Sequence, residues 1–128
     1  MSSPPIEPSR LLVDAGVFSF EQVEILVAIV ACSPEGATTK AVAEAIRSSG
    51  EAATARLISL SALGIVLARA DDPPRWVLRD DRPEIAAALE QLAQRIAKDR
   101  QAVVNQFYSQ RIDHMKAFAD AFKLRKDT

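Results

Sequence analysis

The sequence predicts a mainly α-helical fold of the α+β class: helices around one small two-stranded β-hairpin, extended by a long C-terminal helix and a short terminal helix. Three observations carry this expectation. Apolar residues recur at intervals of three and four through most of the chain, the spacing that stripes one face of a helix. Between Ile65 and Arg79 that period falls to two, the alternation of a half-buried strand. After Pro83 the helical spacing resumes over a length that one small core cannot cover. A chain of 128 residues has room for one such core.

The elements follow in order. MSSPPIEPSR holds three prolines and no periodicity, so residues 1–10 read as a mobile tail. Leu11 to Val17 form an extended or short helical lead-in. Ser19 then opens the first main helix, with Gln22 at the spacing of a reciprocal capping box. Val23, Leu26, Val27 and Val30 recur at helical spacing, and Ile25 and Ile29 widen the stripe, so this helix should sit centrally; Ser33-Pro34-Glu35-Gly36 ends it. A second helix begins after Thr38, with Ala41, Val42, Ala45 and Ile46 on one face, and stops at Ser48-Ser49-Gly50. The third runs from about Glu51 to Leu63 with Ala53, Leu57, Leu60 and Leu63 inward, and Gly64 stands where a left-handed C-terminal glycine is preferred. Ile65–Arg69 and Arg75–Arg79 read as strands joined by Ala70-Asp71-Asp72-Pro73-Pro74, a turn-rich connection. A two-stranded sheet cannot stand alone and must pack on the helices. Pro83 suits the first turn of a fourth helix. Its apolar positions continue through about Tyr108, roughly 25 residues and about 37 Å of helix. Asp113 would then cap a last short helix with Met115, Phe118, Ala119 and Phe122 on one face. The expected organisation is a globular domain over 11–80 and a helical C-terminal arm over 81–128.

Composition narrows the function classes. Hydrophobic residues make up 48% and charged residues 26% of the chain, which excludes disorder for most of it. The longest apolar run, Val23 to Cys32, is interrupted by Glu24 and is too short to cross a bilayer. No basic segment followed by an apolar one opens the chain, so no signal peptide is expected. Cys32 is the single cysteine, which excludes an internal disulfide and fits a reducing cytoplasm. His114 is the single histidine and lies far from Cys32, so no metal site is expected. Asp71-Asp72 and Asp80-Asp81 read as solvated turn residues, and four glycines supply no phosphate-cradling loop. No nucleophile, base and orienting group can be assembled, so neither catalysis nor a cofactor is expected. The net charge is −1 and unevenly spread, −4 over residues 1–37, +1 over 38–80 and +2 over 81–128. Nucleic acid is compatible with this distribution without being announced by it.

One segment resembles a known family. It comprises TTKAVAEAIRSSG, then ATARLISLSALGIV, then LARADDPPRWVLR. The pattern of Leu57, Leu60 and Gly64, leading straight into Ile65-Val66, is similar to the winged helix-turn-helix of bacterial transcription regulators of the MarR and ArsR type. The ending AFADAFKLRK also resembles the tail of small bacterial proteins built on a winged-helix core. The resemblance implies that the third helix is a recognition helix lying in the DNA major groove. Its outward residues would be Glu51, Ala52, Thr54, Ala55, Arg56 and Ser59, with Thr54 available to a phosphate or base and Arg56 to guanine. Thr38, Thr39 and Lys40 would contact the backbone, and Arg69 and Arg75 would reach out from the wing. The sequence departs from the family at Ile58, where a polar residue is usual, and at the acidic wing tip, Asp71-Asp72.

The arm is expected to bind something. Ile85, Leu89, Leu92 and Ile96, resumed by Val103 and Phe107 after an interruption at Asp99-Arg100, are close to a coiled-coil seam and would pair with a second copy in a homodimer. Met115, Phe118 and Phe122, followed by Lys123, Arg125 and Lys126, could dock on another protein or fold back on the long helix or dimer mate. The functional expectation is a dimeric, DNA-binding transcriptional regulator. The alternative is a winged-helix adaptor that binds protein and not DNA.

Overall fold

The computed structural model describes residues 7–126. The elements are α1 (Pro8–Asp14), α2 (Phe20–Ala31), β1 (Ala37–Thr38), α3 (Thr39–Ala45), α4 (Gly50–Ala62), β2 (Val66–Arg69), β3 (Arg75–Leu78), α5 (Pro83–Lys98) and α6 (Arg100–Lys126). The α+β class and the order of helices and hairpin are as the sequence predicts. Four features differ.

The first is at the start. Residues 1–6 of the expected tail lie outside the described residues, but Pro8, Ser9 and Arg10 form the opening of α1. Proline is well tolerated at a first helical position because the N–H it lacks has no helical partner there. Ser9 is buried, and Leu12 and Val13 anchor the short helix in the core. Glu7 pairs with Arg95 of α5 at 2.7 Å.

The second is a third strand. The sheet order is β1-β3-β2, antiparallel throughout, with Ala37 opposite Trp76 and Thr38 opposite Arg75. In the hairpin itself Val66 faces Leu78 and Arg69 faces Arg75. Two residues cannot show a period of two, so β1 leaves no pattern in the sequence.

The third is the arm. The expected continuous helix breaks at Asp99, where the backbone is extended (φ −158°, ψ 88°). The Asp99 carboxylate accepts a hydrogen bond from the Ala102 amide at 3.2 Å and so caps α6. A straight helix would carry Phe107 about 22 Å past Leu92; the break returns both to one buried cluster. Beyond it α6 runs uninterrupted to Lys126, so Asp113 caps no separate terminal helix.

The fourth corrects the expected dimer seam. Ile85, Leu89, Leu92, Val103 and Phe107 are buried within the chain itself, and Ile96 is partly buried against the same cluster. α5 packs Ile85, Leu89 and Leu92 onto α1 and α2, and α6, which carries Val103 and Phe107, packs onto α1 and α5. Phe107 meets Phe20 edge-on, with ring centroids 6.0 Å apart. A side chain already covered by its own fold has no apolar surface left to offer a second copy.

Candidate nucleic-acid interface

The centre of the candidate interface is the pair α3–α4. Thr38 caps α3 by accepting from the Ala41 amide at 3.1 Å, and Ser49 caps α4 by accepting from Ala52 at the same distance. Between them Arg47 adopts φ +53°, a left-handed conformation uncommon outside glycine, asparagine and aspartate. This turn sets α4 with Ala53, Leu57 and Leu60 in the core. Glu51, Thr54, Ala55, Arg56, Ile58 and Ser59 are exposed, and Ala52 is half-buried. Gly64, at φ +77°, ends the helix and leads directly into β2.

The expected contact residues divide by how they are held. Thr54 donates to the Gly50 carbonyl at 2.8 Å and Ser59 to the Ala55 carbonyl at 3.1 Å, both within α4. Arg56 does not stand free: its Nε lies 2.9 Å from the Glu21 carboxylate on α2. Thr39 accepts from the Trp76 indole N–H at 3.1 Å and so ties α3 to β3. Lys40 is exposed and forms no ion pair among the described residues. On the wing, Arg69 lies 3.7 Å from Asp71, and Arg75 donates to the Gly36 carbonyl at 3.1 Å. A guanidinium has five N–H donors, so neither interaction exhausts its arginine.

Sequence reasoning missed a cleft behind this surface. It has a volume of about 830 Å³, between α2, the end of α3 and α6, and is lined in part by Phe20, Glu21, Glu24, Arg47, Arg100 and Tyr108. Arg100 pairs with Glu24 and stacks over the Phe20 ring at 5.2 Å. Tyr108 accepts from the Phe20 amide at 3.4 Å. Glu21 both lines the cleft and holds Arg56. No local signal could have found this link, because the two residues are 35 positions apart.

The second candidate surface is the far half of α6. His114 lies 3.1 Å from Asp14 of α1, and between Ile112 and Phe122 the large apolar side chains of α6 turn to solvent. Phe118 is 70% and Phe122 64% exposed, and Ile112 and Met115 are about half exposed. Among the described residues no three metal-ligating side chains cluster, and no helix is long and apolar enough to cross a membrane.

No family profile and no curated protein matches the sequence. Solved structures do match the fold. MepR, a transcription regulator of a Staphylococcus aureus multidrug efflux pump, superposes with a TM-score of 0.53 at 18% identity, covering 91% of this chain and 86% of its own. The Thermotoga maritima transcriptional regulator Tm0710 superposes at 0.54 with 17% identity, covering 94% and 86%. A MepR variant bound to an oligodeoxyribonucleotide superposes at 0.55 with 17% identity, covering 92% and 86%. The chain shares the fold of these transcription regulators, a winged helix-turn-helix with a helical arm. In that fold α3 and α4 form the helix-turn-helix pair, and the β2–β3 hairpin that follows is the wing. The likeness spans the arm as well as the winged helix, since more than nine-tenths of the chain is covered.

Proposed function

We propose that this chain is a dimeric, DNA-binding transcription regulator that lays α4 in the major groove and the β2–β3 wing along the flanking backbone. One observation carries the reading: α4 is anchored by one buried face, presents the opposite face to solvent, and passes directly into the wing. The DNA-bound MepR variant of the same fold supports it. Lys40, Arg69 and Arg75 are the residues of the reading that meet the DNA backbone. Thr38 and Thr39 act by shaping the approach, one as the cap of α3 and the other as the indole's partner. The chain acts by binding and is not an enzyme.

Dimerisation belongs to the far half of α6 and not to the buried seam. Ile112, Met115, Phe118 and Phe122 form its exposed apolar stripe, and two copies that pack these stripes antiparallel cover them against each other. Such a pairing is closed and two-fold, the symmetry most small regulators and their operators share. It also answers the weak net charge, because two half-sites double the number of phosphates neutralised.

The test is fluorescence anisotropy on a random-sequence duplex of roughly 30 base pairs, enough for two half-sites, at several salt concentrations. The affinity should fall linearly on a log–log plot against salt. A Lys40→Ala, Arg69→Ala, Arg75→Ala triple variant should show a shallower slope, by about 0.9 for each phosphate it no longer neutralises. Absence of binding at low salt would exclude the regulator reading and leave the protein-binding adaptor. A wild-type slope unchanged in the triple variant would move the DNA-binding surface away from the wing.

A further inference from the structure

The face that α4 turns outward holds few groups able to read a base by hydrogen bonding. At 3.6 residues per turn, the positions opposite Ala53, Leu57 and Leu60 are Glu51, Ala55, Ile58, Ser59 and Ala62. Arg56 and Thr54 lie on the two flanks of that face. Ile58 is the largest apolar side chain on it and is 58% exposed. Ala55 lies about one turn before Ile58 and Ala62 about one turn after, so a short apolar strip runs along the face. Three of the polar groups around it are already engaged. Thr54 and Ser59 donate to carbonyls of their own helix at 2.8 and 3.1 Å, and Arg56 is drawn sideways to Glu21 at 2.9 Å.

Single exposed isoleucines are ordinary on protein surfaces. This one occupies the middle of the face that meets the groove if α4 is a recognition helix. Among the four bases, thymine alone presents a methyl group in the major groove, and apolar side chains are its usual neighbours. The two alanines leave room for the helix backbone to approach the groove floor. Glu51, in the first turn, is an acceptor suited to the exocyclic amine of a neighbouring cytosine.

Resting on the DNA-binding reading above, we propose that α4 selects thymine by packing Ile58 against its 5-methyl group, and that Arg56 is not the principal base reader. Specificity then comes from burying a methyl and not from a bidentate arginine–guanine pair. Burial of one methyl corresponds to about fourfold in affinity.

The experiment selects duplexes bound by the full chain from a pool carrying roughly 20 random base pairs, about two turns of DNA. The recovered duplex is then made twice, once with thymine and once with uracil in its place, which removes the methyl and keeps every base pair. Wild type should bind the uracil duplex about fourfold more weakly for each methyl it covers, and Ile58→Ala should bind the two duplexes equally. Circular dichroism should show the variant folded, since Ile58 lies outside the core. Equal binding of both duplexes by wild type overturns the thymine reading and leaves DNA binding standing. A thymine preference that survives in Ile58→Ala overturns the role of Ile58. Recovery of no duplex from the pool overturns the thymine reading together with the DNA-binding reading beneath it.

Discussion

Two glycines with similar backbones are held for different reasons. Gly36 sits at φ +88°, and a Cβ there would lie 2.7 Å from both the Trp76 carbonyl oxygen and a Val77 methyl. Gly64 sits at φ +77° with nothing within 4 Å of that position. Gly64→Ala should therefore cost only the left-handed conformation, about 1–2 kcal/mol. Gly36→Ala should cost about 1–3 kcal/mol more, because strand backbone must move aside. Urea unfolding of the two variants checks the order; equal losses would show that β3 yields freely. Gly64 was legible in the sequence because a helix stop is a local event. The close approach at Gly36 was not, since β3 arrives some forty positions later in the chain. Arg56 teaches the same lesson. Its position on α4 follows from helix periodicity, whereas its engagement by Glu21 depends on how α2 and α4 are packed.

At the scale of elements, the capping signal at Ser19 was a faithful guide and the one at Asp113 was not. Ser19 and Gln22 form the reciprocal box that their spacing predicts, with Ser19 Oγ accepting from the Gln22 amide at 3.2 Å and Gln22 Oε1 from the Ser19 amide at 3.3 Å. Asp99 shows what spacing alone leaves open. Its polar interruption was visible, but whether it sits within one helix or between two depends on where Phe107 must go. Loss of the cap in Asp99→Ala should destabilise the protein by about 1 kcal/mol in urea unfolding. Helical content by circular dichroism should stay the same, because the core still requires the break. Phe107→Ala should cost about 3–5 kcal/mol, since the ring is buried completely and packs edge-on against Phe20 of α2. A loss below about 1 kcal/mol would mean that α6 does not dock as described.

At the scale of the molecule, the distribution of apolar surface decides which helix can meet a partner. The α5 stripe is stronger as a pattern, yet it is consumed by α1 and α2; the weaker α6 stripe stays exposed. Phe118→Ser with Phe122→Ser should convert a dimer to a monomer in sedimentation equilibrium and weaken binding to a two-half-site duplex, with thermal unfolding of the monomer little changed.

The sequence by itself determined what depends on neighbours along the chain: the helices before the hairpin, the cap at Ser19, the hairpin, the Leu57-Leu60-Gly64 spacing that marks the winged helix, and the apolar character of both arm segments. Periodicity and capping act over a few residues, so they can be read without coordinates. Tertiary structure decided which apolar stripe is core and which is surface, where the arm bends, that β1 completes the sheet, and that Arg56 is turned toward Glu21. Each of these is settled by burial or by the meeting of residues far apart in sequence. A stripe shows that a face is apolar, and packing alone decides what covers it.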